Sequence, residues 1–261
     1  MSAALSTFAL GLRRNLANWP ILMGRALFYL VAMAVLSALW DKVASQHTVG
    51  ALAVPAGDLS IYIGTTEWIT LSVASIHLRL EDDIRLGMLE PHLLRPKPYL
   101  LQKIAESLGD SLARLLGIGL AALLALALSG RAAPSPGAFA AVAILGPLGA
   151  TIGVLLYTIV GLCAFWVRRV MPAYLIMQKS MFLLGGLFAP ITLYPVWLYL
   201  AGVVTPFAAH IFYAGHQMIA PSLVGFVEAF AAQLFWIAVL TVVIALIWRA
   251  GLHKILREGL S

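Results

Sequence analysis

The sequence predicts an all-α protein that crosses a lipid bilayer several times. Three observations carry that prediction. Of 261 residues, 62% are hydrophobic and only 11% are charged, whereas ordinary soluble domains carry roughly 25% charged residues. The apolar residues fall in long runs, several of which reach the ~20 residues a helix needs to span hydrocarbon. Of the 17 basic and 11 acidic residues, twelve lie between Arg79 and Arg114, an island that must stand outside the lipid.

The elements follow in order within one transmembrane domain, residues 1–261. In the first 19 residues, Leu5, Phe8, Leu12 and Leu16 recur at helical spacing, with Arg13, Arg14 and Asn15 elsewhere on the wheel. That pattern predicts an amphipathic helix lying in the membrane interface. Six spans are then expected, over residues 20–40, 59–78, 107–128, 138–167, 172–190 and 222–248. The first is too long for the h-region of a signal peptide, which runs about 7–15 residues. Trp19 and Trp40 bracket it, roughly 31 Å apart along a helix, at the depths where Trp favours the interface.

Lys and Arg set the orientation. Arg13, Arg14, Arg79, Arg85, Arg95, Lys97, Lys103, Arg168, Arg169, Lys179, Arg249, Lys254 and Arg257 are assigned to one set of connections, and only Lys42 and Arg131 to the other. By the positive-inside rule both termini and the island are cytoplasmic. The net charge of +6 is thereby explained without nucleic acid as a partner. Outside, GRAAPSPG at 130–137 is a tight turn. Residues 191–221 carry no Lys, Arg, Asp or Glu and are expected to dip into the outer leaflet as re-entrant helices, which are tolerated only when packed on protein or lining a cavity.

Several chemistries find no support. There is no G-x-x-x-x-G-K-[ST] for ATP, and no repeat suggests inverted transporter halves. The one cysteine, Cys163, builds neither a disulfide nor a metal site, and His77 and His92 lack metal-ligand company. Two carboxylates, Glu67 and Glu228, lie inside spans, where charge is costly and marks a functional site by default. They are candidate contacts for a cationic or zwitterionic substrate, beside the polar wall of Thr66 and Thr70. The competing reading is a protonated Glu hydrogen-bonded across helices. Gly146, Gly149 and Gly153 suit close helix packing.

The segment Gly87-Met88-Leu89-Glu90-Pro91-His92-Leu93-Leu94-Arg95-Pro96 resembles the G-x-L-x-x-x-L-L-R-P stretch of one subgroup of ABC-2 type permeases. Gly185-Gly186-Leu187-Phe188-Ala189-Pro190, then Tyr194-Pro195-Val196-Trp197-Leu198 and Thr205-Pro206-Phe207, is similar to the G-L-F-x-P…P-x-W-L…N/T-P-F ending of that family. Pro91 departs from the helix-compatible pair expected there. The resemblance implies a permease subunit of an ATP-driven exporter in the bacterial cytoplasmic membrane. It would pair with a second permease chain, identical or homologous, and with two cytoplasmic ATPase subunits. Those partners would hold Mg-ATP; this chain would bind no cofactor. Within residues 79–103, Asp82, Asp83, Arg85, Glu90 and Arg95 would make rim contacts with the ATPase, and Ile84, Leu86 and Leu89 its apolar anchor. Phe188, Pro190, Pro195 and Trp197 would stand at the external gate. Two rival functions are an ATP-independent transporter or channel with Glu67 as ion or proton carrier, and an intramembrane enzyme built on His210 and His216.

Overall fold

The computed structural model describes residues 3–46, 56–89, 91 and 98–258. Among these the chain is helical and has no strands. Ten α-helices follow in order: α1 (Ala3–Ala17), α2 (Trp19–Gln46), α3 (Ala56–Ser72), α4 (Ile76–Arg85), α5 (Tyr99–Leu128), α6 (Pro136–Leu162), α7 (Met171–Leu184), α8 (Val196–Val203), α9 (Tyr213–Ile219) and α10 (Leu223–Glu258). Short 3-10 turns occupy Cys163–Phe165 and Ile191–Leu193, and a π turn, Ala208–Phe212, leads into α9.

Among the described residues four segments are long and apolar enough to cross a membrane, Trp19–Lys42, Tyr99–Leu128, Pro136–Phe165 and Leu223–Arg257, and the bent pair Val196–Val203 with Ala208–Ile219 makes a fifth if it counts as one span. The expected second and fifth spans differ. α3 has 17 residues and α7 has 14, about 25 and 21 Å at 1.5 Å per residue, so neither alone meets the length of a full span. The second ends early because the helix breaks at Val73-Ala74-Ser75, and His77 and Leu78 belong to α4 instead. Within residues 191–221, α8 and the helical stretch Ala208–Ile219 meet at 81°.

α6 is the central post. Ser135 caps it by accepting from the Ala138 N–H, and Pro136 occupies its first turn, where a missing N–H costs nothing. One strip of small residues lets other backbones approach. A Cβ at Gly149 would collide with the His210 carbonyl, and one at Gly161 with the α4 backbone at His77. Of the glycines expected to serve packing, Gly149 and Gly153 thus receive His210 of the π turn and Gly146 does not, while Gly161, further along, receives α4.

α1 lies along the first half of α5. Their crossing is backbone on backbone: a Cβ at Gly11 would strike the Glu106 carbonyl, and one at Gly109 the Phe8 carbonyl. Leu5, Leu10 and Leu16 remain exposed on the far side of α1. The apolar stripe read from the sequence is therefore split, with Phe8 and Leu12 partly covered by α5 and Leu5 and Leu16 facing outward.

Gly109→Ala should destabilise the protein by roughly 1–3 kcal/mol, the usual cost of overpacking. Gly24→Ala, where nothing lies within 4 Å of the added methyl, should be neutral or stabilise by up to ~1 kcal/mol, since Ala is the better helix former. Thermal unfolding of the two variants in detergent separates these outcomes.

Candidate functional site

α4 begins with a hydrophobic period. Ile76, Leu80 and Ile84 are buried at spacing four, with His77 and Glu81 beside them. That face packs on α6 and joins a core that includes Val73, Leu89, Tyr157 and Phe165. His77 stacks on Tyr174 of α7 with centroids 4.2 Å apart and meets Tyr157 of α6 edge-on at 5.1 Å. α4 is thus fastened to two later helices by apolar and aromatic contacts. After Leu86 the chain turns at Gly87, whose φ of +66° favours a residue without Cβ.

Charge fastens α4 to α5 and, through it, to α1. Arg79 of α4 reaches Asp110 of α5 at 3.0 Å and Glu106 at 3.3 Å, and its Nη2 also donates to the Ser107 hydroxyl. Arg14 of α1 meets the same two carboxylates, Asp110 at 2.8 Å and Glu106 through Nη1. Burial works against the Arg14 charge, but the carboxylates of Asp110 and Glu106 outweigh it and raise its pKa above the ordinary value. Two cations from two helices therefore share two anions on a third. Asp83 pairs with Lys103 at 2.6 Å and accepts from the Tyr99 hydroxyl.

The break between α3 and α4 leaves backbone groups without helical partners. α5 supplies them. The Ala74 N–H donates to the Ser111 hydroxyl at 3.0 Å, and Arg114 donates to the Val73 carbonyl at 2.8 Å. A cation at a helix C-terminus also answers the helix dipole. Asp110 thus serves Arg14 and Arg79, and Arg114 serves the break.

The structure sorts the residues expected to dock a partner. Asp82, Arg85 and Leu86 are exposed, and Met88 joins them. Ile84 and Leu89 are not available as an apolar anchor, because both are buried in the chain's own core. Asp83 is engaged internally. Glu90 and Arg95 lie outside the described residues. Glu81, which the sequence did not single out, is buried with Arg85 3.8 Å away; its place in the register of α4 is the signal that could have found it.

The expected polar wall of α3 is mostly consumed by its own helix. Thr65, Thr66, Thr70 and Ser72 donate to carbonyls three or four residues back, a common fate of hydroxyls in helices. Thr66 also reaches the Leu187 carbonyl at 3.0 Å, and the Tyr62 hydroxyl donates to the Gly186 carbonyl at 2.6 Å. These bonds hold the Gly185-Gly186-Leu187-Phe188 turn, in which Gly186 has φ +69°. Glu67 is half-buried beside Tyr29, and Glu228 is exposed near Tyr213. Neither makes a hydrogen bond or ion pair with another described residue, and they sit on helices that do not pack together.

Beyond that turn, Phe188 and Trp197 are exposed, Pro195 is exposed at the start of α8, and Pro190 is buried. His210 is fully buried, with Nδ1 donating to the Gly149 carbonyl at 2.8 Å. His216 tilts against Phe212. The two histidines are held by packing rather than gathered around a nucleophile.

Long apolar helices with a charged foot where three helices share ion pairs define a multi-pass membrane protein. The family model described as ABC-2 family transporter protein matches residues 58–259, and the chain belongs to that family. It is therefore a permease component of an ABC-type transporter, a part associated with ABC ATPase subunits. A comparison with curated proteins gave no match.

Asp110→Asn should cost roughly 3 kcal/mol, because Asp110 is 2% exposed and removing it strands charge in a buried cluster. Glu106→Gln, at the more open edge of the cluster, should cost under about 1 kcal/mol. Denaturant titration of the purified variants checks the ranking. Arg114→Met should raise deuterium uptake around Val73–Ile76, read by hydrogen exchange.

Proposed function

We propose that this chain is the permease subunit of an exporter in a bacterial cytoplasmic membrane, with both termini cytoplasmic. It works beside a second permease chain, identical or homologous, and two ATPase subunits that bind Mg-ATP. The observation that carries the reading is the double attachment of α4. One face of this short helix is locked to α6 and α7 by apolar and aromatic packing and to α5 by ion pairs, while Asp82, Arg85, Leu86 and Met88 face outward.

A soluble ATPase reaches a membrane pathway through an element that touches both. α4 meets that requirement: a push on its exposed face passes through Leu80 and His77 to α6, and through Arg79 to α5 and α1. The break at Val73–Ser75 lets α4 turn against α3, with Ser111 and Arg114 holding the freed backbone. Exposed Leu86 and Met88 replace Ile84 and Leu89 as the apolar anchor, ringed by Asp82 and Arg85. Substrate moves outward by alternating access, with Glu67 and Glu228 in the pathway and Thr66 positioning the Gly186 turn rather than contacting substrate. Phe188, Pro190, Pro195 and Trp197 belong to the external gate.

Replacing both exposed anchors, Leu86→Asp with Met88→Asp, should remove the ATPase from the complex purified in mild detergent while leaving thermal unfolding of the permease unchanged. ATPase that still co-purifies in full would defeat α4 as the docking element. Glu67→Gln should lower export of cationic substrates several-fold and spare neutral ones. Equal export of both classes removes Glu67 from the pathway, and export that persists without the ATPase transfers the function to an ATP-independent carrier.

A further inference from the structure

Between α2, α3, α5 and α6 lies a cavity of about 890 Å³, distinct from the charged foot and from the Gly186 turn. It is elongated. On α2 its lining runs from Tyr29 to Asp41 and on α5 from Leu115 to Ser129, roughly 18 and 21 Å at the helical rise. That is well over half the depth of a ~30 Å hydrocarbon layer. Along the shaft the wall is apolar and aromatic, with Met33, Trp68, Leu123 and Phe139. Its larger polar groups are spoken for: the Trp68 indole donates to the Leu115 carbonyl, the Tyr29 hydroxyl to Gly64 and the Thr65 hydroxyl to Ile61, which leaves few polar groups such as the Ser37 hydroxyl. Water has little to bind in such a shaft, and a void this large forfeits the contacts its lining could make.

The chemistry changes at one end. Asp41 and Arg131 form an ion pair at the mouth, joined through Arg131 Nη2 at 2.8–2.9 Å. Arg131 Nε and Nη1 have no hydrogen-bond partner among the described residues, and half of the Asp41 side chain is exposed. The mouth therefore offers donors for an anion next to an acceptor for a cation. A long apolar shaft under adjacent positive and negative groups matches one kind of molecule: an amphiphile with a zwitterionic head and acyl chains.

We propose that this cavity binds one phospholipid with a zwitterionic headgroup. Its phosphate accepts from Arg131, its ammonium group meets Asp41, and an acyl chain fills the shaft as far as Tyr29 and Leu115. The lipid comes from the leaflet on the side of Arg131, the external one in the orientation proposed above. The site otherwise stands apart from the transport reading, since nothing in it requires an ATPase.

Trp68 in the wall provides the probe. The purified full chain in detergent is titrated with phosphatidylethanolamine brominated along its acyl chains, and quenching of Trp68 is taken as the difference between wild type and Trp68→Phe. The expected result is saturation at about one lipid per chain. Ala34→Phe, on the open side of the cavity, and Ala122→Phe, on its inner wall, should abolish that quenching. Arg131→Gln should weaken it roughly tenfold, the worth of one charged hydrogen bond. Because Ala34 is exposed, its variant reports even if the Ala122 variant fails to fold. Quenching that rises without saturation, or is unchanged in the Ala34 variant, means ordinary boundary lipid and overturns the proposal. An anionic phospholipid binding equally well overturns the headgroup assignment. Disulfide dimers formed through Ser37→Cys, with no lipid bound, would give the face to a second copy instead.

Discussion

Asp110 is the point on which the charged end of the molecule depends. A carboxylate buried in a membrane protein is tolerated only when its charge is answered nearby. Here the answer comes from Arg14 on α1 and Arg79 on α4, with Glu106 balancing the second positive charge. This cluster requires three helices to meet at one place. They can do so because Gly11 and Gly109 let α1 and α5 approach to backbone contact. A side chain at either position would lift α1 away and leave two carboxylates with Arg79 as their remaining cation. Packing and charge are thus a single constraint: the glycines bring the helices together and the ions make the approach worthwhile.

A second constraint is that every interruption of a helix inside lipid must have its backbone groups answered by protein. The structure meets it repeatedly by the same device, a polar side chain reaching from a neighbouring helix, as Thr66 and Tyr62 do for the Gly186 turn. Ser111 and Arg114 of α5 serve the break after α3. Gln233 of α10 bridges the carbonyls of Leu145 in α6 and Ala209 in the π turn, both at 3.0 Å. These side chains do not form a substrate site. They make it possible for the chain to break where a straight helix would have continued, with α5 keeping the backbone between α3 and α4 satisfied.

Much of the fold was legible in the sequence because lipid imposes long apolar runs and relegates charge to their ends. The long helices and the bend within residues 191–221 follow from that. The break at Val73–Ser75 was not legible, since the apolar run continues through it to Leu78 and neither Gly nor Pro marks it; the reason for the break is the pair Ser111 and Arg114, almost forty residues away. The exposure of the residues expected to dock was half legible. The charge of the island was evident, but the sequence offered Ile84, Leu86 and Leu89 as equivalent apolar residues. Only the packing of α4 on α6 decides that Ile84 and Leu89 turn inward and Leu86 outward. The threonines of α3 misled in the same way, because a hydroxyl that bonds its own helix looks identical in sequence to one that faces a pathway.

The exposed residues carry a further physical meaning. Lipid accepts the outward Leu and Val of α2 and α10 without cost, so their exposure requires no partner. Glu228 is different, because an exposed carboxylate about five residues into α10 has neither water nor a counter-charge if that face meets hydrocarbon. Glu67 poses the same problem more mildly, half-covered beside Tyr29. Both charges become reasonable if the face they share with a second permease chain encloses water. In that arrangement the carboxylates are not a pair within one chain. Each would contribute from its own helix to a pathway that a single chain leaves open, and their separation within one chain follows from that division of labour.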